Sequence, residues 1–282
     1  MLVLLVLVLL VSLLLAGGGG SPPHVAAAHP GAFFERIQAL SGNGPGSFAA
    51  AESAAENRAI DRTLAYTPWV RIAGSQHREL ALTFDDGPGP YTPLILSILQ
   101  RENVPATFFE VGVLEQYFHA STSAIVARGY AIGDHTYLHA PMSRLSPADQ
   151  QVQLLEQVRA VQQYGAPFPR LFRPPYGLWD SSTLALLRRY RMLMVLWTVD
   201  TNDYRLPGVA AIVRSAVAGA RPGAIILMHD AGGNRSETVA ALPRIIARLR
   251  AKGYKFVTVP KLLLDNPAPH NQQISAVLGS GG

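Results

Sequence analysis

Two carboxylates stand side by side in Thr83-Phe84-Asp85-Asp86-Gly87-Pro88. Adjacent like charges raise one another's pKa unless a cation or a metal separates their roles. The Gly-Pro that follows places the pair in a turn, where a plain polar loop is the alternative reading. Farther along, Gly133-Asp134-His135-Thr136-Tyr137-Leu138-His139 sets two His at i and i+4. On a helical turn that spacing puts both rings on one face, which is a metal-ligand spacing. Two His and one carboxylate leave positions open for water and substrate, as in catalytic zinc sites and in the facial triad of non-haem iron oxygenases. The ligand types leave the metal undecided. The 282 residues include no Cys, which excludes thiolate zinc sites, disulfides and thiol nucleophiles. Any metal here must rest on His, Asp or Glu.

Three further stretches carry polar residues where an apolar run ends. Arg173-Pro174-Pro175-Tyr176-Gly177 is a rigid turn with one Arg, and a guanidinium fixed in this way can hold a carboxylate through paired hydrogen bonds. Trp197-Thr198-Val199-Asp200-Thr201-Asn202-Asp203-Tyr204 follows another run, and Leu227-Met228-His229-Asp230 ends a third. A His at that place is a candidate general acid or base, and the neighbouring Asp230 is available to tune it.

The elements that must position these residues are short β-rich runs alternating with helical patterns. Strands are expected near Leu80–Phe84, Ala106–Val111, Tyr130–Gly133, Arg170–Phe172, Met192–Thr198, Ala224–Met228 and Lys255–Val259. Helical patterns lie at Pro93–Glu102, Pro147–Tyr164, Ser181–Tyr190, Val209–Ala218 and Thr238–Lys252. This alternation predicts an α/β fold with a parallel sheet, open or closed. About 190 residues is short for eight full βα units, which usually take about 250, so a distorted (β/α) barrel with about seven parallel strands fits better. In such a fold catalytic groups follow the C-terminal ends of strands, and each polar stretch named above falls at such an end.

The rest of the chain is arranged around that barrel. Residues 1–20 are an apolar run followed by glycines, which reads as a signal peptide or an N-terminal anchor. At 1.5 Å per residue the run at 2–15 reaches about 21 Å as a helix, short of the roughly 30 Å of a bilayer core. No Lys or Arg precedes it, so both a cleaved signal and a retained membrane anchor stay open; either implies export. Residues 21–70 are rich in Ala, Gly, Pro and Ser and read as a tether or extension with one helix around Ala49–Ala65. The catalytic domain is expected at 71–265 and a loose tail at 266–282. Net charge is +5, from 24 Lys and Arg against 19 Asp and Glu. The cations form no basic block, which argues against nucleic-acid binding.

Five motifs in order make the stretch from Glu79 to Val259 resemble the NodB-type polysaccharide deacetylases, carbohydrate esterase family 4. They are TFDDGP at Thr83–Pro88, HTYLH at His135–His139, RPPYG at Arg173–Gly177, DTNDY at Asp200–Tyr204 and LMH at Leu227–His229. The resemblance implies a distorted barrel that holds a divalent metal on Asp86, His135 and His139. The metal would usually be Zn2+, with Co2+, Mn2+ or Ni2+ as alternatives. It also implies Asp85 as general base, Arg173 orienting Asp85, His229 as general acid tuned by Asp203, and the Tyr176 backbone N–H as an oxyanion donor. Leu227 and Tyr204 would shape the pocket for the acetyl methyl; position 204 is usually Trp in the family.

The function so implied is removal of N-acetyl groups from an extracytoplasmic polysaccharide, peptidoglycan or another N-acetylglucosamine polymer. De-O-acetylation of xylan, a non-catalytic carbohydrate-binding protein on the same scaffold, and an iron oxygenase are the alternatives. The partner expected is the polysaccharide, with the protein a monomer. The remaining His (His24, His29, His77, His119, His270) are expected in the tether, loops or tail without a role. Glu110 and Glu115 read as local loop or helix charges, and Tyr66 and Trp69 as packing residues.

Overall fold

The computed structural model describes residues 48–273. The apolar leader, residues 21–47 of the tether and residues 274–282 of the tail lie outside the described residues. No helix among the described residues is long and apolar enough to cross a membrane.

Among the described residues nine strands run in the order β1 (Trp69–Val70), β2 (Glu79–Gly87), β3 (Thr107–Glu110), β4 (Ala131–Asp134), β5 (Leu171–Phe172), β6 (Leu193–Val195), β7 (Val199–Asp200), β8 (Ile225–His229) and β9 (Lys255–Phe256). Eight helices accompany them: α1 (Phe48–Leu64), α2 (Thr92–Arg101), α3 (Glu115–Ala127), α4 (Pro147–Gln162), α5 (Ser181–Tyr190), α6 (Val209–Gly219), α7 (Ser236–Ala251) and α8 (Val259–Asp265). All ladder pairs are parallel, in the spatial order β1-β6-β5-β4-β3-β2-β8-β7, with β9 pairing the start of β2. This is the expected distorted (β/α) barrel.

Local chemistry explains the helix starts. Ser146 caps α4 by accepting from Asp149 N, with Pro147 at the first helical position. Asp180 and Thr183 form a reciprocal capping box on α5. Thr258 caps α8 through Lys261 N.

Strand β2 is the hub, paired with β3, β8 and β9 and buried along nearly its whole length. Its side chains alternate, as a strand requires. Leu80, Leu82 and Phe84 join a core that includes Ile95, Leu99, Ile245 and Ile246 of the covering helices. Ala81, Thr83 and Asp85 face the barrel interior, with Ala81 in a second core beside Phe109, Leu171, Leu193, Val195 and Ile225. Strand β8 alternates likewise, with Ile226 and Met228 outward and Leu227 on the mouth side.

Three expectations need correction. Of the run Met192–Thr198, expected as one strand, only Leu193–Val195 is strand: β6 pairs β5 and β1, while the separate β7 begins just beyond the run and pairs β8. Leu196–Thr198 carries the chain between the two edges of the sheet. There Leu196 N donates to Val70 O (2.7 Å), Thr198 N to Ile225 O (2.9 Å) and Thr198 Oγ1 to Arg71 O (2.5 Å). Edge strands β1 and β7 share no ladder among the described residues, and an isolated antiparallel bridge, Ile72 to Ala224, crosses the seam.

The barrel unit also begins before residue 71. Strand β1 belongs to the sheet, and Ile60 of α1 is buried at 1% exposure among Val70, Leu171, Leu193 and Leu262. Finally, residues 266–273 of the expected tail are tied down. Asn266 is fully buried, accepts from His77 N (2.6 Å) and donates to Glu79 Oε2 (2.9 Å). Gln272 Oε1 accepts from the backbone of Arg71 and Ile72, and His270 stacks on Tyr66 at 3.9 Å. His119 lies within α3 and stacks on Tyr164. Trp69 and Tyr66 are packing residues, as expected.

Because α1 buries Ile60 under the barrel, Ile60→Ala should lower unfolding stability by about 2–4 kcal/mol. Urea titration of the full chain measures this, and an unchanged midpoint would show that α1 contributes nothing to the core.

Candidate active site

The strands end at a mouth of about 790 Å3 that is lined by Asp85, Asp86, His135, His139, Tyr176, Tyr204, Leu227 and His229, among others. A regular strand would send Asp85 and Asp86 to opposite faces. Here the β2–β3 register shifts between Asp85 and Gly87, and Asp86 takes a φ of +73°. That bulge brings both carboxylates to the mouth, a common use of bulges near sites. Gly232 leaves the space that the Asp86 carboxylate occupies, since a Cβ there would collide with Asp86 Oδ2.

Asp85 is buried and fixed by Arg173, whose Nη1 lies 2.6 Å from Asp85 Oδ1. Arg173 is itself fully buried. Its remaining donors reach Thr83 Oγ1 (2.9 Å), Val195 O (2.9 Å) and Leu196 O (3.3 Å), and its guanidinium lies 4.0 Å from the centre of the Phe109 ring. Burial pulls the Arg173 pKa down while Asp85 opposes the shift. A guanidinium nonetheless keeps its proton in a protein.

Asp86, His135 and His139 form a group of three donors whose ligand atoms lie within 4.8 Å of one another. The His pair does not sit on a helical turn, as its spacing had suggested. Thr136 and His139 both have positive φ, +66° and +55°, so an irregular loop brings the rings together. The His135 Nδ1 bonds to Arg173 O at 2.7 Å. A carbonyl only accepts, so Nδ1 carries the proton and Nε2 is free to ligate. The His139 Nδ1 pairs with Tyr176 Oη at 3.1 Å. Both Nε2 atoms then face Asp86 Oδ1, at 3.5 Å and 3.1 Å. Burial would raise the Asp86 pKa, but the close imidazoles of His135 and His139, with the charge of His229, hold it well below the usual carboxylate range. Two imidazole nitrogens and one ionised carboxylate converging on one point suit a divalent cation of the zinc type.

Across the mouth, Asp85 and His229 are register partners on adjacent strands. The His229 ring bonds through Nδ1 to Asp203 Oδ1 at 2.7 Å, and its backbone N donates to Asp203 Oδ2 at 2.8 Å. Thr238 Oγ1 also donates to Asp203 Oδ2 (2.7 Å). Burial disfavours the charged ring, yet the Asp203 hydrogen bond and the charges of Asp203, Asp86 and Asp85 outweigh it and lift the His229 pKa to about 9. Asp203 moves the other way, since the His229 hydrogen bond more than offsets its burial.

The neighbour Asp230, which sequence adjacency suggested as the tuning group, points elsewhere. Its Oδ2 accepts from Thr92 Oγ1 at 2.5 Å, and burial pushes its pKa up to about 7. Tyr204 meets the His229 ring edge-on at 5.3 Å, and Leu227 lines the mouth beside it. Tyr176 adopts φ +59° in the Pro175–Gly177 turn.

Glu110 and Glu115 are not solvated local charges. Both are buried and share the hydroxyl of Thr122, at 3.1 Å and 2.9 Å. One hydroxyl proton cannot serve two carboxylates. Burial raises both acids, Glu115 to about 7 and Glu110 well above its usual value, so a protonated carboxyl completes the network. The Glu110 backbone carbonyl accepts from His135 N at 3.1 Å. Residues that motif spacing could not reveal are the supports: Thr83, Thr92, Thr238, the Tyr176 hydroxyl and Gly232. Each acts through a contact between segments distant in sequence.

A family model described as polysaccharide deacetylase matches residues 73–195. A chitooligosaccharide deacetylase of Bradyrhizobium is 37% identical over 199 residues, covering 66% of this chain and 90% of its own. The chain belongs to the polysaccharide deacetylase family. Among solved structures, a peptidoglycan N-acetylglucosamine deacetylase superposes with a TM-score of 0.69 at 30% identity, covering 76% of this deacetylase-family chain and 99% of the other. A Bacillus anthracis protein described as a carbohydrate esterase family 4 pseudoenzyme superposes with a TM-score of 0.65 at 30% identity, covering 70% of this chain and 69% of its own. Membership in the family therefore establishes the scaffold, and activity has to be argued from the residues of the mouth.

Removing one member of the buried Arg173–Asp85 pair strands the other charge. Arg173→Met should destabilise the protein by about 3–5 kcal/mol, and adding Asp85→Asn should recover much of that loss. Denaturant titrations of the two single variants and the double variant test the coupling, and additive effects would contradict it.

Proposed function

We propose that this chain is a metal-dependent hydrolase that removes N-acetyl groups from an extracytoplasmic polysaccharide, an N-acetylglucosamine polymer such as peptidoglycan. The observation that carries this reading is the opposed pair in the mouth. A carboxylate fixed by Arg173 faces a His held by Asp203, and the three metal donors lie beside them. A purely carbohydrate-binding protein has no use for that pair, and an iron oxygenase using the same three ligands would not need Asp85 and His229 together.

Asp86, His135 and His139 are the residues that would hold the cation. Once bound, such a cation polarises a carbonyl and lowers the pKa of water to about 7. Asp85 accepts the proton of the water that adds to the acetamide carbon. The oxygen that becomes negative in the tetrahedral state takes a hydrogen bond from the Tyr176 backbone N–H; one such donor is worth about 10²–10³ in rate. His229, protonated at neutral pH, gives its proton to the amine nitrogen as the carbon–nitrogen bond breaks. Acetate and the free amine are the products. Leu227 and Tyr204 pack around the acetyl methyl, with Tyr204 in the place the family usually gives to Trp. Export rests on the apolar leader, with the relatives' substrates as support. The polysaccharide is the partner and the monomer the working unit.

The test is acetate release by the full chain from chitooligosaccharide, peptidoglycan and acetylated xylan, with and without a chelator. Chelation should abolish release, and added zinc should restore it. Asp85→Asn should reduce turnover by about 10²–10⁴ while metal content, measured by elemental analysis, is retained. Saccharide binding without acetate would support the non-catalytic reading, and turnover that needs iron and oxygen would support the oxygenase.

The pH profile tests the acid separately. His229 is raised by Asp203, so its protonated form is lost as pH rises through about 9, and activity should fall there. Asp203→Asn removes the raising charge and should move this alkaline limb to lower pH. An unmoved limb would remove His229 from the acid role.

A further inference from the structure

Local structure alone gives no reason for a tyrosine at position 176. Pro174 and Pro175 set the turn after β5, in which Gly177 N donates to Pro174 O and Leu178 N to Pro175 O, each at 3.0 Å. Tyr176 lies in the left-handed region at φ +59°, and Gly177 follows at +68°. Glycine takes such angles freely, whereas a bulky residue there is an outlier. Burial does not account for the ring either. It is 44% exposed and joins none of the hydrophobic clusters among the described residues. The hydrogen bond and the ring contact that its side chain makes among the described residues both go to His139. The phenol meets the imidazole edge-on at 4.7 Å between centres, and Oη lies 3.1 Å from Nδ1.

His139 is the less firmly held of the two imidazole donors. His135 follows directly on β4, its side chain is only 3% exposed, and its Nδ1 rests on the carbonyl of Arg173. His139 lies farther along an irregular loop, with φ +55° and a side chain 27% exposed. A ligating imidazole keeps its orientation when something grips the nitrogen that does not ligate. For His139 that grip is the Tyr176 hydroxyl, from the loop after the neighbouring strand β5. A phenol oxygen can accept the Nδ1–H, which leaves Nε2 free on the side of Asp86. A phenylalanine at the same place would keep the edge-on ring and the backbone N–H, and would offer no acceptor.

We propose that the Tyr176 hydroxyl is the outer partner that positions His139 for the cation. One residue then serves the site twice, with its backbone N–H toward the reacting oxygen and its side chain behind a metal ligand. The left-handed backbone is retained because it presents the ring to His139. The inference rests on the metal-dependent reading above and adds a positioning residue to it. Outer partners of ligating histidines fix the ring and raise its basicity, and losing one costs about 10- to 100-fold in metal affinity. The phenol is half-exposed at the mouth, so its loss falls on the metal and leaves folding nearly untouched.

The test uses the full chain, stripped of metal and titrated with zinc against a chromophoric chelator, with Tyr176→Phe beside the wild type. Tyr176→Phe should bind zinc about 10- to 100-fold more weakly at the same stoichiometry. The urea midpoints of the two metal-free chains should coincide, which separates a lost metal support from a lost fold. A second readout needs no variant. Zinc should perturb the near-ultraviolet absorption of a phenol in the wild type, and Tyr176→Phe should remove that difference spectrum. Equal zinc affinity for the two chains overturns the inference, as does a wild type that binds zinc with no phenol difference spectrum. Failure of the metal-dependent reading is distinguishable, because the wild type would then take up no zinc at all, and that result overturns both.

Discussion

A fully buried arginine joined to a buried aspartate is the constraint around which the mouth is organised. The idealised penalty for moving one such ion from water into a protein interior is large, and a pair survives only if its geometry and remaining hydrogen bonds are good. Arg173 meets that condition by using Asp85, Thr83 and two backbone carbonyls of the β6 end at once. The consequence reaches beyond the pair. Arg173 connects β5 to β2 and β6, and its own carbonyl sets the tautomer of His135. One side chain thus fixes the orientation of the carboxylate and, through its backbone, the ring nitrogen offered to a metal.

The opposite wall is built on a second ion pair of similar logic. His229 and Asp203 come from β8 and the loop after β7, and Thr238 at the start of α7 completes the carboxylate's contacts. The two pairs lie on neighbouring strands, because Asp85 and His229 are register partners. The sheet therefore sets the spacing of the two groups, and loop conformation has little freedom to alter it. Asp203, Asp86 and Asp85 keep His229 protonated, and the surrounding imidazoles, His229 among them, in turn keep Asp86 ionised. The arrangement also separates the adjacent Asp85 and Asp86 into different roles, one matched by a guanidinium and the other by imidazoles.

Beneath the mouth, burial rather than pairing governs the acids. Glu110, Glu115 and Asp230 are enclosed, and burial raises each. The hydroxyls of Thr122 and Thr92 supply their hydrogen bonds. Sequence reading took Glu110 and Glu115 for local charges because nothing in the local pattern says that α3 folds over β3 and closes them off. The contacts of residues 60 and 266 escape local pattern for a related reason. Ile60 and Asn266 find their partners across the chain, and composition alone reports only that the surrounding stretches are rich in small and polar residues.

The sequence by itself determined the parallel α/β barrel and the ten residues that line or support its mouth. Both signals are local: hydrophobic runs alternate with helical periods, and each chemical motif follows directly on a strand, where the fold must place it at one end of the barrel. Tertiary structure alone decided how those residues are held. Asp86 reaches the mouth through a bulge, the His pair converges through left-handed loop residues, Asp230 turns away from His229 to Thr92, and an expected strand stops at Val195 so that the chain crosses to β7 and leaves a seam. Each of these depends on a contact between distant segments or on a backbone conformation that neighbours enforce, and neither is written in residue spacing.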